Sequence, residues 1–191
     1  MNSSPHLLVF DGFADWEAAF ATAELRRSGK HQVVTVGFSG EPVISMGGLC
    51  VLPDFDLAEV DPEGIRLLIL PGGDRWEKAP EDEGLSALLK HLATARTPIA
   101  AICGATLAVA RAGLLQGRKH TSNGLEYLKA QVPAYSAAAD YVDTLAVRDR
   151  GLITASGLGA LEFAREIFSE LGVFSNEERA TWYRVFKEGK A

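Results

Sequence analysis

Residues 98–107 read Pro98-Ile99-Ala100-Ala101-Ile102-Cys103-Gly104-Ala105-Thr106-Leu107: an apolar run, a cysteine, two small residues, then helix formers. A short run without apolar/polar alternation is the mark of a strand covered on both faces. The small residues after it let the chain turn sharply into a helix. Working outward, the same pattern recurs. Arg66-Leu67-Leu68-Ile69-Leu70 runs into Pro71-Gly72-Gly73, and Leu7-Leu8-Val9-Phe10 runs into Asp11-Gly12. Residues 33–38 and 152–155 read as further strands, with 141–148 preceding the turn Asp149-Arg150-Gly151. Between them lie helical stretches at 15–28, 81–95, 107–112, 158–171 and 176–187, several stopped by Gly29, Gly113 or Gly172. In the first of these, Asp15 is placed to cap the helix, and Trp16, Phe20, Ala23 and Arg27 fall along one face. Helices alternating with strands covered on both faces specify an α/β fold: a flavodoxin-like, doubly wound, three-layer sandwich, its sheet mostly parallel. Gly47-Gly48, between 43–46 and 49–52, adds a small antiparallel hairpin.

The chain has 191 residues, 47% hydrophobic and 23% charged, which is one globular domain, 1–191, with no linker or repeat. No apolar stretch is long enough to span a membrane. The start, Met1-Asn2-Ser3-Ser4-Pro5, lacks the features of a secretory signal, so a cytoplasmic location is expected. A net charge of −6 argues against nucleic acid as a partner, because phosphate binding draws on clustered Lys and Arg. Two cysteines, Cys50 and Cys103, make no disulfide framework and read as reduced thiols. His6, His31, His91 and His120 are scattered, without metal-ligand spacing. No glycine-rich dinucleotide or phosphate loop follows a strand, so no cofactor is expected.

In open α/β sheets, sites form at the carboxyl ends of strands. Three such loops carry unusual residues: 11–17, 71–74 and 102–106. Cys103 sits where a strand turns into a helix, the layout of a nucleophile elbow in a Cys-Gly-Ala variant. A helix start favours the thiolate, and an unshifted thiol is only about 3% ionised at neutral pH. The opposing reading is an inert core cysteine, a common fate of the residue. The N–H groups of Gly73 and Gly104 would together form an oxyanion hole. Cys50, inside an apolar strand, reads as a small core residue. Trp16 and Trp76 are candidates to wall a pocket, Trp76 alternatively for a subunit contact. Trp182, Tyr183 and Phe186 read as packing on the last helix.

Leu70-Pro71-Gly72-Gly73, Ala100-Ala101-Ile102-Cys103-Gly104-Ala105 and Thr121-Ser122-Asn123 together resemble the ThiJ/PfpI superfamily, from Leu7 to about Gly172. That group includes the Parkinson-disease-associated deglycase, the PfpI-type intracellular proteases and the class I glutamine-amidotransferase-like domains. The resemblance implies that Glu17 is a protonated carboxyl held against the cysteine, and that the protein is a homodimer. Glu17 alone reads equally as a helix-start acid. This sequence also departs from the pattern. Gly104 stands where the PfpI-type proteases have histidine, no late His-x-Glu pair exists, and Asn123 falls where the deglycase branch has histidine. His120 or Asn123 is then the candidate polar partner of the thiol, if that segment ends beside the elbow.

Two functions follow. In the first, Cys103 attacks a small electrophilic substrate (an amide, a reactive carbonyl or an adduct), with Glu17 and His120 moving protons, Gly73, Gly104 and Asn123 binding, and no metal. In the second, a non-catalytic stress sensor or chaperone, Cys103 is reversibly oxidised and Glu17 hydrogen-bonds the oxidised sulfur. A third use, a binding module on an inactive amidotransferase-like scaffold, needs no thiol chemistry at all.

Overall fold

The computed structural model describes residues 3–79 and 81–190. Seven strands form one sheet: β1 (Ser4–Val9), β2 (Val34–Gly37), β5 (Phe55–Asp56), β6 (Ile65–Leu70), β7 (Ile99–Ile102), β8 (Ala146–Asp149) and β9 (Leu152–Ala155). Their order is β5-β2-β1-β6-β7-β9-β8, parallel throughout except that the edge strand β8 pairs antiparallel with β9. The hairpin is separate: β3 (Val43–Ile44) and β4 (Cys50–Val51) pair only with each other, Ile44 opposite Cys50.

Alternate residues of the central strands feed two cores. Leu68 and Leu70 of β6, with Ile99 and Ala101 of β7, pack under α3 (Glu83–Ala95) and α4 (Thr106–Arg111). Leu67, Ile69, Ala100 and Ile102 pack on the other face under α1 (Asp15–Arg27), α6 (Ala160–Leu171) and α7 (Asn176–Glu188). Helices on both faces remove every apolar side chain of β6 and β7 from water, as the unbroken apolar runs require. Among the described residues no helix is long and apolar enough to cross a membrane.

Several local expectations are corrected. The sheet-facing side of α1 is Ala18, Ala21 and Leu25, not the Trp16–Phe20–Ala23–Arg27 stripe. Phe20 instead packs on Trp182 and Phe186 of α7, and Trp16 stays half exposed. Asp15 does not cap its helix. Its carboxylate accepts from Ser45 Oγ and Gly47 N, tying the hairpin tip to the start of α1. Cys50 is exposed, because the two-stranded hairpin has no layer above it. Strand β8 starts at Ala146, not at 141, and two helices were not anticipated: α2 (Arg75–Lys78) and α5 (Leu125–Gln131).

Candidate active site

The carboxyl ends of β1, β6, β7 and β9 open toward one place, and Cys103 stands at its centre. The chain leaves β7 with Ile102 extended, and Cys103 turns into the left-handed region at φ 58° before a 3-10 turn leads into α4. A non-glycine residue pays about 1–2 kcal/mol for that conformation. This is how an elbow lifts its side chain clear of the sheet. Thr106 Oγ1 donates to the Cys103 carbonyl at 2.6 Å and lies 2.6 Å from Ser122 Oγ, which joins the elbow to the segment 121–123.

Three groups surround the sulfur. Asn123 Nδ2 donates to Sγ at 3.2 Å, and Asn123 Oδ1 accepts from Gly157 N at 2.9 Å, so the amide is fixed in both senses. The Glu17 carboxyl lies beside the cysteine, both bordering the position a Cβ on Gly72 would take, and its Oε2 accepts from Gly72 N at 2.6 Å. The third is glycine backbone. A Cβ on Gly72 would lie 2.6 Å from Glu17 Oε2 and 2.7 Å from Cys103 Cβ, and one on Gly157 would lie 3.0 Å from Sγ. Only glycine lets these two loops approach the cysteine–glutamate pair so closely. Gly157 was not anticipated. Its signal was Ser156-Gly157-Leu158-Gly159 directly after the apolar strand 152–155, the same strand-end rule that exposed the other loops.

Burial dominates the electrostatics. Glu17 is 2% exposed, and desolvation raises its pKa, opposed by the Gly72 N–H and the thiol. Burial also pushes the Cys103 thiol up. The Asn123 amide pulls it down, an ionised Glu17 pushes it up again, and the Gly104 N–H pulls it down. The depressed thiol expected from a helix start is thus opposed by burial, which outweighs the Asn123 and Gly104 donors. Two acids that each resist ionising beside the other behave as a pair sharing one proton. With the proton on Glu17, the carboxyl becomes a donor and its repulsion on the sulfur disappears.

The other expected residues fall as follows. Gly73 N–H has no protein acceptor among the described residues, and Gly104 N–H faces the sulfur. Trp76 is buried. Its indole N–H donates to the Pro71 carbonyl at 2.8 Å, and its ring would touch a Cβ on Gly104, so it backs the elbow. His120 does not reach Cys103. Its ring is fully buried, Nδ1 lies 2.7 Å from the Arg118 carbonyl and Nε2 2.6 Å from Tyr135 Oη. Residues 121–123 are not a strand aimed at the elbow. His120 makes an isolated bridge to Tyr141, and the chain needs three more residues to bring Asn123 to the sulfur. The His120 general-base role therefore has no geometric support. Tyr127 of α5, near enough to feel the charge of Cys103, donates to Glu77 of α2 at 2.8 Å.

Comparison with known proteins places these features in company. The sequence pattern of the DJ-1/PfpI family matches residues 6–170. The chain is 40% identical to a Bacillus subtilis protein named uncharacterized protease YoaZ, over 97% of this chain and 91% of that one. It is 29% identical to the deglycase TK1284 of Thermococcus kodakarensis, covering 81% and 90% respectively. Among solved structures, the DJ-1 superfamily protein Atu0886 of Agrobacterium tumefaciens superposes with a TM-score of 0.89 at 37% identity, covering 98% of this chain and all of that one.

Proposed function

The chain belongs to the DJ-1/PfpI family, and we propose that it is a cysteine-dependent enzyme whose Cys103 adds to the carbonyl carbon of a small electrophilic substrate. Relatives named protease and deglycase support the broader reading. One observation favours a reactive carbonyl over a peptide: the sulfur's side-chain partners are Glu17 and Asn123, with no imidazole among them. An amine leaving group needs a proton as it departs. Glu17 is buried with Oε2 engaged by the Gly72 N–H, and His120 is held by Tyr135. Addition to an aldehyde or ketone needs no such acid.

In this reading Glu17 takes the thiol proton. The sulfur lone pair forms a bond to the carbonyl carbon, and the carbonyl π pair moves to oxygen. The resulting charge faces the N–H groups of Gly73 and Gly104, where donors already in place act most strongly. On an aldehyde the alkoxide takes a proton from solvent water, giving a hemithioacetal, while Glu17 keeps the proton it took from the thiol. On an acyl carbon the bond to the departing group breaks and leaves a thioester for water. Asn123 holds the sulfur in position throughout. A reduced thiol of this kind suits a cytoplasmic setting. The homodimer implied by the sequence resemblance is retained, and the exposed apolar side chains of the hairpin segment, Ile44, Met46, Leu49 and Leu52, are surface compatible with it.

A turnover screen with glyoxal-type, amide and isonitrile-type substrates tests the proposal. Carbonyl turnover that Cys103→Ser abolishes is expected. Absence of all turnover, with Cys103 still sensitive to peroxide, would replace it with the redox-sensor reading.

A further inference from the structure

The opposite end of the sheet carries a feature that thiol chemistry does not use. At the amino ends of β7 and β9 lies a cavity of about 500 Å³ whose lining includes Arg96, Arg118, Arg150, Thr97 and Glu170. A neighbouring cavity of about 290 Å³ shares Arg96, Thr97 and Glu170 and adds Arg66. In a chain of net charge −6, four arginines on one surface are a local reversal of sign. Among the described residues the nearby carboxylates pair with only one of the four, Arg150. Glu170 is engaged by Arg148 Nη1 at 3.0 Å, and Asp149 pairs with Arg150 at 3.3 Å. Among the described residues Arg66, Arg96 and Arg118 have no carboxylate partner, and Arg118 is partly buried.

The backbone adds an independent observation. Arg96 ends α3 at φ 60°, and Arg150 occupies the β8–β9 turn at φ 48°. Glycine or asparagine is cheaper at both kinds of position. Of the four non-glycine residues at positive φ among the described residues, one is Cys103, and these two arginines meet at one cavity.

We propose that this end of the sheet binds a phosphate-bearing small molecule, its oxyanion held by the guanidinium groups of Arg96 and Arg118, with Arg150 and Arg66 at the margins. Guanidinium forks match phosphate oxygens in geometry and remain charged at every relevant pH. The cavity exceeds the size of a single phosphate, leaving space for the organic part of an ester, and Thr97 lies on its wall.

Calorimetric titration of the intact protein with pyrophosphate and with glycerol 3-phosphate, at matched ionic strength, tests this. Saturable one-to-one binding of either is expected, and the tighter of the two distinguishes a polyphosphate anion from an ester. Arg118→Gln should weaken it roughly tenfold or more, the scale of a lost charge-assisted hydrogen bond. Arg96→Gly and Arg150→Gly suit the backbone, so they should weaken binding while leaving the melting temperature unchanged or higher, which separates lost charge from lost fold. Alkylation of Cys103 should not respond in any of the three, so the result is independent of the catalytic reading. No saturation in the millimolar range, or equal affinity in parent and variants, would overturn the proposal.

Discussion

Replacing Glu17 by glutamine should make Cys103 more acidic. The carboxyl is buried, accepts from Gly72 N at 2.6 Å and lies beside the cysteine. When ionised it raises the thiol pKa. A glutamine in the same place keeps its oxygen for the Gly72 N–H and turns its amide N–H groups to the sulfur, a permanent copy of the protonated acid. A unit charge about 4 Å away is worth up to about 4 kcal/mol at an effective dielectric of about 20, or roughly 3 pH units. The open side of the site trims that by screening, so an acid shift of at least about one unit is expected, with about tenfold more thiolate near neutrality. The assay is iodoacetamide alkylation across pH 5–9, followed by mass spectrometry of the Cys103 peptide, in a Cys50→Ser background because Cys50 is exposed. The stability of the same variant carries a second sign. The folded pKa of Glu17 is raised, so its neutral form stabilises the fold at low pH, and that contribution is lost as pH rises through the raised value. Glutamine is neutral throughout, so its stability advantage over the parent should widen with pH above about 4.5. An alkylation profile that stays put or moves to alkaline pH in Glu17→Gln would refute the shared-proton account.

Asn123→Ala removes the donor to Sγ and the acceptor for Gly157 N, so the alkylation profile should move to alkaline pH; an unchanged profile would remove Asn123 from the site. Gly72→Ala drives a Cβ into the Glu17–Cys103 pair and should cost about 1–3 kcal/mol of stability, read by urea unfolding, together with altered thiol reactivity. His120→Ala should cost a similar amount by emptying the fully buried ring's place and unpairing the Tyr135 hydroxyl, yet leave the Cys103 pH profile within error; a shifted profile would return His120 to the chemistry.

The sandwich was readable in the sequence because β6 and β7 are apolar at consecutive positions, and only two covered faces reward that. The elbow was readable for the same reason: a cysteine follows an unbroken apolar run. What escaped lies where the local pattern is silent. The helix α1 buries alanines against the sheet and offers its aromatic Phe20 to α7, so its bulky stripe does not mark its sheet face. Asp15 left its own helix for Ser45, some thirty residues away in sequence. Cys50 has the composition of a core strand but lies in a two-stranded ribbon with no second layer. His120 follows Arg118-Lys119 in a segment whose direction is set by Thr121 bonding Thr154 and the Thr144 carbonyl. No periodicity shows which way such a segment faces.

The site is assembled from positions 17, 72, 103, 123 and 157, and this has a consequence for the protein as it is made. Parallel pairing cannot form until the second strand of each pair has left the ribosome, and β7 has β9 as one neighbour. Until Gly157 emerges, the sulfur lacks one wall, and until Asn123 emerges it lacks its amide. At about 5–20 residues per second, the stretch between Cys103 and Gly157 takes several seconds to synthesise. Through that interval the thiol belongs to a nascent chain open to oxidants, with neither the shelter nor the tuning of the finished fold.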